Sequence, residues 1–462
     1  MLKSQLQAYF IPELKREREM KKNFLILSLV SLLLIGCDSG EKAITIPADV
    51  FHDSMEKLSE VIVHDIFSPP VASRIYAYPS IAMYEILAKN DPAYKPLAGQ
   101  LTDFGAIPDP TEEVSYDLAS LEAFLILSQA FIFSEDRIAN YKEELYKDLR
   151  KGVNKAYFNA SLEYGAQAAE HMLDWADKDN YKQTRTFPKF TVTNDPTRWQ
   201  PTPPAYMEAI EPHWTKIRPF AIDSATQFVP IRPTAFDMDP NSLFYKELME
   251  VYEVGNNLTD EQKEIASFWD CNPYVVNQTG HVMAATKKIT PGGHWIGIIK
   301  LASQKADADP MKSAEAYALT SIALADAFIS CWDEKFRSNL IRPETLINEH
   351  IDEEWLPLLQ TPPFPEYTSG HSVISNAAAV ALTSIFGEDF AFDDSTEVKY
   401  GLPVRSFTSF IDASEEAAIS RLYGGIHYMP AIENGVTQGR ALGNYVVDKI
   451  ELRNESLVQN EK

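Results

Sequence analysis

Two stretches of this chain, "LASLEAFLILSQAFIF" (118–133) and "AYALTSIALADAFISCW" (316–332), are apolar around nearly the whole helical circumference. Each carries one carboxylate in its interior, Glu122 and Asp326. A helix apolar on every side has to be enclosed by protein or by lipid, and a carboxylate in mid-segment argues against lipid. Both stretches therefore predict helices at the centre of a multi-helix core. Around them apolar residues recur at i, i+3 and i+4, as in "SLEYGAQAAEHMLDWAD" (161–177), while alternating strand patterns are scarce. The expected fold class is all-α, a helical bundle with long loops. With 462 residues, 45% of them hydrophobic, the chain can bury a large core.

Composition divides the chain further. Residues 186–242 contain "FPKFTVTNDPTRWQPTPPAYMEAIEPHWTKIRPF", too rich in proline for a long helix and too aromatic for a disordered linker. They read as an ordered loop wrapping the surface, between an N-terminal helical region (37–185) and a second helical domain (243–455). The segment from Met20, "MKKNFLILSLVSLLLIGCDSG", has two lysines, a 13-residue apolar run from Phe24 to Gly36, and then Cys37. That order fits a bacterial signal peptide over 1–36 that ends in a lipobox, with translation starting at Met20 and Cys37 carrying the lipid. The run is too short to span a bilayer. The expectation is an exported protein, tethered by lipid in the bacterial envelope and touching membrane only there.

The net charge of −24 excludes nucleic acid as a natural partner and requires any anion site to be a local basic pocket. Beyond Cys37 only Cys271 and Cys331 remain, open to one disulfide but better read as two buried thiols. No His/Cys cluster has zinc spacing.

Three segments concentrate cations, imidazoles and anion-friendly backbone. "CWDEKFRSNLIRPET" holds Lys335, Arg337 and Arg342, with Pro343 next; Lys335 and Arg342 are seven apart and are expected on one helical face. "PPFPEYTSGHSVISNAAA" places Ser369, Gly370 and His371 at a helix start, where free N–H groups and the dipole favour an anion. "DASEEAAISRLYGGIHYMPAIENG" reads as a helix beginning at Asp412 and Glu415, carrying Ser420 and Arg421 near its end, closed by Gly424-Gly425 and followed by His427. Singly, each has a plain structural alternative: a solvated basic helix end, an N-terminal helix histidine, a buried histidine.

Taken in order, Lys-x6-Arg-Pro, Ser-Gly-His and Ser-Arg-x5-His resemble the signature that unites type-2 phosphatidic-acid and acid phosphatases with the vanadium-dependent haloperoxidases. The motifs extend over about 243–450, and their spacing, with Tyr274 in "DCNPYVV", is most similar to the flavobacterial vanadium-dependent iodoperoxidases. The resemblance implies an oxyanion pocket of Lys335, Arg342, Ser369, Gly370, His371, Arg421 and His427. Three cations and a helix start suit a multiply charged tetrahedral anion. In a haloperoxidase the cofactor is vanadate with His427 as its axial ligand, His371 the base toward hydrogen peroxide, and Lys335 the group that polarises it. Iodide is the favoured halide and bromide the next, with small organic molecules as acceptors of the product.

In a phosphatase the same His427 forms a phosphohistidine and His371 protonates the leaving alcohol. A lipoprotein that only binds phosphate or vanadate would have no need of both histidines. Trp332, Phe364 and Tyr274 stand where the resemblance implies a halide pocket, although plain core packing is the commoner fate of aromatics. Thr368 replaces a more usual Pro. Ala431 stands four residues after His427, where phosphatases and several haloperoxidases have an orienting Asp. The nearest carboxylate in sequence is Glu433, and the loss favours a metal-ligating over a nucleophilic histidine. Other features have milder readings: a structural turn at "TPGGHW" with His294, a solvated turn at Asp237 and Asp239, and close helix packing at Gly435, Gly439 and Gly443.

Overall fold

A computed structural model describes residues 44–279, 282–285 and 287–454. The leader and lipobox reading, Cys37 included, lies outside them. The N-terminal part consists of α1 (Ala48–Asp65), α2 (Pro69–Ala88), α3 (Tyr116–Ala130), α4 (Glu135–Leu149), α5 (Lys155–Ala176) and the short α6 (Tyr181–Thr184). After the long loop come α7 (Leu243–Asn256), α8 (Asp260–Phe268), α9 (Pro291–Lys305), α10 (Pro310–Ser338) and α11 (Pro343–His350). The last three helices are α12 (Gly370–Phe386), α13 (Phe410–Tyr423) and α14 (Met429–Lys449). Two antiparallel hairpins interrupt this all-α plan: β1 (Val276–Thr279) with β2 (Val282–Ala285), and β3 (Phe392–Asp394) with β4 (Arg405–Phe407).

The apolar helix α10 is the spine, packed against α2 on one side and α12 on another. It is apolar and long enough to cross a bilayer, yet its most apolar window is wholly buried in protein, as a core helix requires. Asp309 caps its start, accepting from Lys312 N at 2.7 Å, and Pro310 opens the first turn. The two interior carboxylates both have work. Glu122 accepts from Lys142 Nζ at 2.7 Å and from the Tyr146 hydroxyl. Asp326 accepts the backbone N–H groups of Phe220 (2.7 Å), Ala221 (2.6 Å) and Ile222 (2.9 Å), so it staples the Pro-rich loop to the spine.

That loop is ordered, as its aromatics predict: Trp199 and Trp214 are fully buried, and its only helical turn is Trp214–Lys216. Ile210 N donates to Pro363 O at 3.1 Å, and Ile210 O accepts from Trp332 Nε1 at 3.1 Å, so the loop braces the segment ahead of α12. The glycines of α14 face α12 at close range. A Cβ on Gly439 would sit 2.2 Å from the Val373 carbonyl oxygen, and one on Gly435 2.8 Å from Ser372 Cβ. Backbone contact at this distance fixes the start of α12, where Ser369 is the cap residue.

Two local expectations are corrected. Lys335 and Arg342 do not share a helix. α10 stops at Ser338 because Asn339 turns left-handed (φ 47°), and Arg342, preceding Pro343, is extended (φ −78°, ψ 149°) as the cap residue of α11. The third motif helix starts at Phe410 with Ser409 as its cap, ahead of the Asp412/Glu415 pair; Asp412 accepts instead from Thr408 N and Oγ1.

Candidate active site

The motif residues come from four elements: the end of α10, the turn before α11, the start of α12 and the turn after α13. Gly425, with φ 75°, bends the chain after α13 and delivers His427. Gly370, His371, Arg421 and His427 line one cavity. Trp332, Phe364 and Tyr274 line the same cavity, so the three aromatics named from sequence are brought together with the polar residues. The rings of Trp332 and Phe364 lie 5.0 Å apart. Phe364 also carries both cations on its face, with Lys335 Nζ 5.0 Å and Arg342 Cζ 5.2 Å from its centre.

His427 is held on both ring nitrogens. Nε2 lies 3.1 Å from Arg342 Nη1, and Nδ1 lies 2.7 Å from Glu366 Oε1. A guanidinium can only donate, so Nε2 is the acceptor and Nδ1 carries the proton, which it donates to Glu366. Burial, reinforced by the charges of Arg342, Lys335 and Arg421, holds the ring well below the usual histidine range and therefore neutral. Glu366 is the residue that sequence reasoning missed. It lies inside "PPFPEYTSGH", fully buried, and its Oε1 also accepts from Tyr428 N at 3.1 Å. Burial pushes its carboxyl up to about 7, against the pull of Arg342 and Lys335. The missing Asp at Ala431 is thus replaced by a carboxylate from across the cavity, whereas Glu433 is exposed and has no such role. The inference drawn from that gap, a preference for ligation over nucleophilic attack, falls with it. The available signal was the one carboxylate inside "PPFPEYTSGH", three residues ahead of Ser369.

Arg342 is fully buried; its Nε donates to Phe364 O (2.9 Å) and its Nη1 to Ile426 O (2.8 Å), while Nη2 is buried without a partner. Arg421 donates from Nη2 to Trp269 O at 2.8 Å and from Nε to Ser420 Oγ at 3.0 Å. Lys335 Nζ is 3.0 Å from Pro365 O, 3.0 Å from Glu366 O and 2.6 Å from Thr368 O. Burial pulls this lysine down to about 7, but three carbonyl acceptors call for three hydrogens, and only the ammonium has them. Lys335 therefore spends its donors on the turn that carries Glu366 and contributes charge to the pocket. Thr368, in place of the more usual Pro, is pinned by Gln438 Oε1 at 2.8 Å.

Ser369 Oγ accepts from Ser372 N at 3.3 Å, which leaves its hydroxyl hydrogen to donate. A Cβ on Gly370 would meet only Lys335 Cε and Trp332 Cζ3, both at 3.9 Å, so the space beside its backbone belongs to the cavity. His371 Nε2 is buried without a partner, and burial with the Arg421 charge keeps the ring well below the usual histidine range. The unpartnered Arg342 Nη2 and His371 Nε2, Arg342 and Lys335 beside Glu366, Arg421 beside Asp270, and a glycine-lined gap fit a multiply charged oxyanion such as vanadate.

The "TPGGHW" segment is no turn: Thr290 caps α9, and His294 lies fully buried behind the Cys271 wall of the cavity. Asp237 and Asp239 form the exposed turn expected, each accepting from a backbone N–H two residues on. Cys271 and Cys331 are free and buried.

Fold and site together define a helical oxyanion enzyme in which two neutral imidazoles and Arg421 line a pocket, with Arg342 on His427 and Lys335 buried close by. A family model, the VCPO second helical-bundle domain, matches residues 315–455. The solved structure of the first bacterial vanadium-dependent iodoperoxidase is similar at 56% identity and TM-score 0.86, over 89% of this chain and 99% of that one. Holo- and apo-type bacterial vanadium-dependent chloroperoxidase structures share the fold at 16% and 18% identity, both with TM-score 0.65, over 85% and 83% of this chain and 95% and 94% of theirs. No curated protein matches the sequence. The chain belongs to the vanadium-dependent haloperoxidase family.

Proposed function

We propose that the protein oxidises iodide, and bromide less readily, with hydrogen peroxide and vanadate: iodide, peroxide and a proton give hypoiodous acid and water. The observation that carries this reading is His427 held neutral, with Nδ1 on Glu366 and Nε2 directed among cations, facing a cavity that also receives the unpartnered Nε2 of His371. Arg342, Arg421, Ser369 and the Gly370 backbone would hold the oxyanion, with His427 Nε2 as its protein ligand and Lys335 adding positive charge. Bound vanadate supplies Lewis acidity that makes peroxide electrophilic toward halide.

The chain's own residues do the rest. Arg342 Nη1 would yield the Nε2 lone pair, and the unpartnered Nη2 would donate to the anion. Glu366 keeps the proton on Nδ1, so His427 can bind only through Nε2. His371 Nε2 takes the proton of the incoming peroxide and returns one to the hypohalous product. Trp332, Phe364 and Tyr274 give the halide an apolar wall, which suits a large, weakly hydrated anion such as iodide. Small organic acceptors would then react with the product. A carboxylate-oriented His427 also suits phosphohistidine chemistry, so one assay pair separates the two readings. Apo-protein reconstituted with orthovanadate should oxidise iodide and lose that activity as phosphate competes. Inhibition by vanadate of p-nitrophenyl phosphate hydrolysis, with no halide oxidised, would overturn the proposal.

The leader composition supports export and anchoring through lipid on Cys37. Cys37→Ser should then move the protein from the membrane fraction to the soluble one, and an unchanged distribution would refute the anchor.

A further inference from the structure

Behind the cavity wall, Cys271, His294 and Glu397 bring three metal-ligating atoms together. Cys271 Sγ is 3.4 Å from His294 Nδ1, Glu397 Oε1 is 3.2 Å from the same nitrogen, and Sγ and Oε1 are 3.9 Å apart. Zinc bonds of ordinary length at the tetrahedral angle would separate S from N by about 3.5 Å, N from O by about 3.4 Å and S from O by about 3.6 Å. The three atoms thus already stand near one face of a zinc tetrahedron.

The surroundings are those of a built site. His294 and Asp394 are fully buried, Cys271 is buried and Glu397 is 6% exposed. His294 Nε2 lies 2.8 Å from Asp394 Oδ2, and Asp394 Oδ1 is itself fixed by Thr396 N (3.0 Å) and Thr396 Oγ1 (2.7 Å). A carboxylate behind the far nitrogen is the support that metal-bound histidines use to fix ring and tautomer. The imidazole also stacks on Trp269, with centres 4.5 Å apart.

We propose that Cys271, His294 and Glu397 bind one zinc-class divalent cation, with a fourth position left for solvent. A thiolate, an imidazole and a carboxylate at these separations select zinc over the oxygen-seeking cations. The ion would lock the 269–272 wall of the active cavity, since Cys271 lines that cavity and Trp269 O accepts from Arg421. The competing arrangement is a metal-free imidazolium between Asp394 and Glu397.

The test uses the full-length protein without vanadate. After stripping with chelator, it is titrated with zinc sulfate by calorimetry and separately loaded with cobalt(II), with metal counted by plasma mass spectrometry. The proposal expects one zinc per chain and a sulfur-to-cobalt charge-transfer band in the near ultraviolet. Glu397→Gln should weaken zinc at least tenfold, and Cys271→Ser should abolish the band. Circular dichroism checks both folds, and the Glu397→Gln titration decides alone if Cys271→Ser does not fold. Zinc that fails to bind stoichiometrically, cobalt without the thiolate band, or equal binding by Glu397→Gln would each overturn the site. None of these results bears on halide oxidation.

Discussion

Replacing Glu366 by Gln tests the link between this buried carboxylate and His427. In the wild type, Oε1 accepts from His427 Nδ1 at 2.7 Å and from Tyr428 N at 3.1 Å, in a fully buried position. Gln keeps the shape and an oxygen for those two donors, so little cavity or steric cost arises. What it loses is the charge the carboxyl carries once the pH is above about 7, where the comparison is made. A hydrogen bond to a charged group contributes about 1.5–3 kcal/mol, against about 1 kcal/mol between neutral groups. The difference, about 0.5–2 kcal/mol, should appear as vanadate binding about 2–30-fold weaker, overlapping the roughly 10–100-fold seen when outer-shell partners of metal ligands are changed. The assay reconstitutes apo-protein with increasing orthovanadate and reads the half-saturating concentration from iodide oxidation at fixed peroxide. Glu433→Gln, at an exposed position, serves as the control and should match wild type. Unchanged vanadate affinity in Glu366→Gln, or an equal loss in Glu433→Gln, would refute the assignment of the orienting role.

Other expectations follow from the same geometry. His371→Ala should retain vanadate within a few-fold and lose iodide turnover by about 10²–10⁴, the usual worth of a positioned acid–base group; steady-state kinetics on vanadium-saturated protein decide it, and near-normal turnover contradicts the role. Asp326→Ala leaves three buried N–H groups of the wrapping loop without an acceptor, at about 1–3 kcal/mol each; urea melts should show a loss of several kcal/mol, and limited proteolysis should open the chain near Phe220, whereas a change below about 1 kcal/mol would contradict the staple. His52 is pulled down to about 4 by burial, so as pH falls below its ordinary 6.5 the unfolded chain takes up the proton first and the folded state loses stability. Relative to His52→Asn, the wild type should lose about 2 kcal/mol between about pH 7 and pH 5, measured by denaturant melts at both values, and parallel curves would contradict the buried neutral ring.

Much of this molecule can be read from residue chemistry. The all-round apolar stretches around Glu122 and Asp326 specify core helices, and the aromatic content of 186–242 specifies an ordered wrap. The motif residues Arg342, Ser369, His371, Arg421 and His427 converge because each sits at a helix end whose stop signals are local: Pro343, the Ser369 cap, Gly425. Residues set by long-range contact are harder to read. Glu366 reaches His427 across 61 positions, and nothing in its neighbours announces a partner so far away. Its substitution for the carboxylate absent at Ala431 is visible only once α12 and α13 are side by side. Likewise Asn339 breaks the helix between Lys335 and Arg342 by one left-handed residue, which a seven-residue spacing cannot reveal. His294 was misplaced for a related reason. Its partners Cys271 and Asp394 lie 23 and 100 residues away, beyond any local pattern.

The central claim is that His427 Nε2 holds vanadate in the cavity. Vanadium content after desalting, wild type against His427→Ala, tests it most directly. The account predicts about one vanadium per wild-type chain and almost none in the variant, with both folded by circular dichroism. Equal vanadium in the two proteins would contradict it.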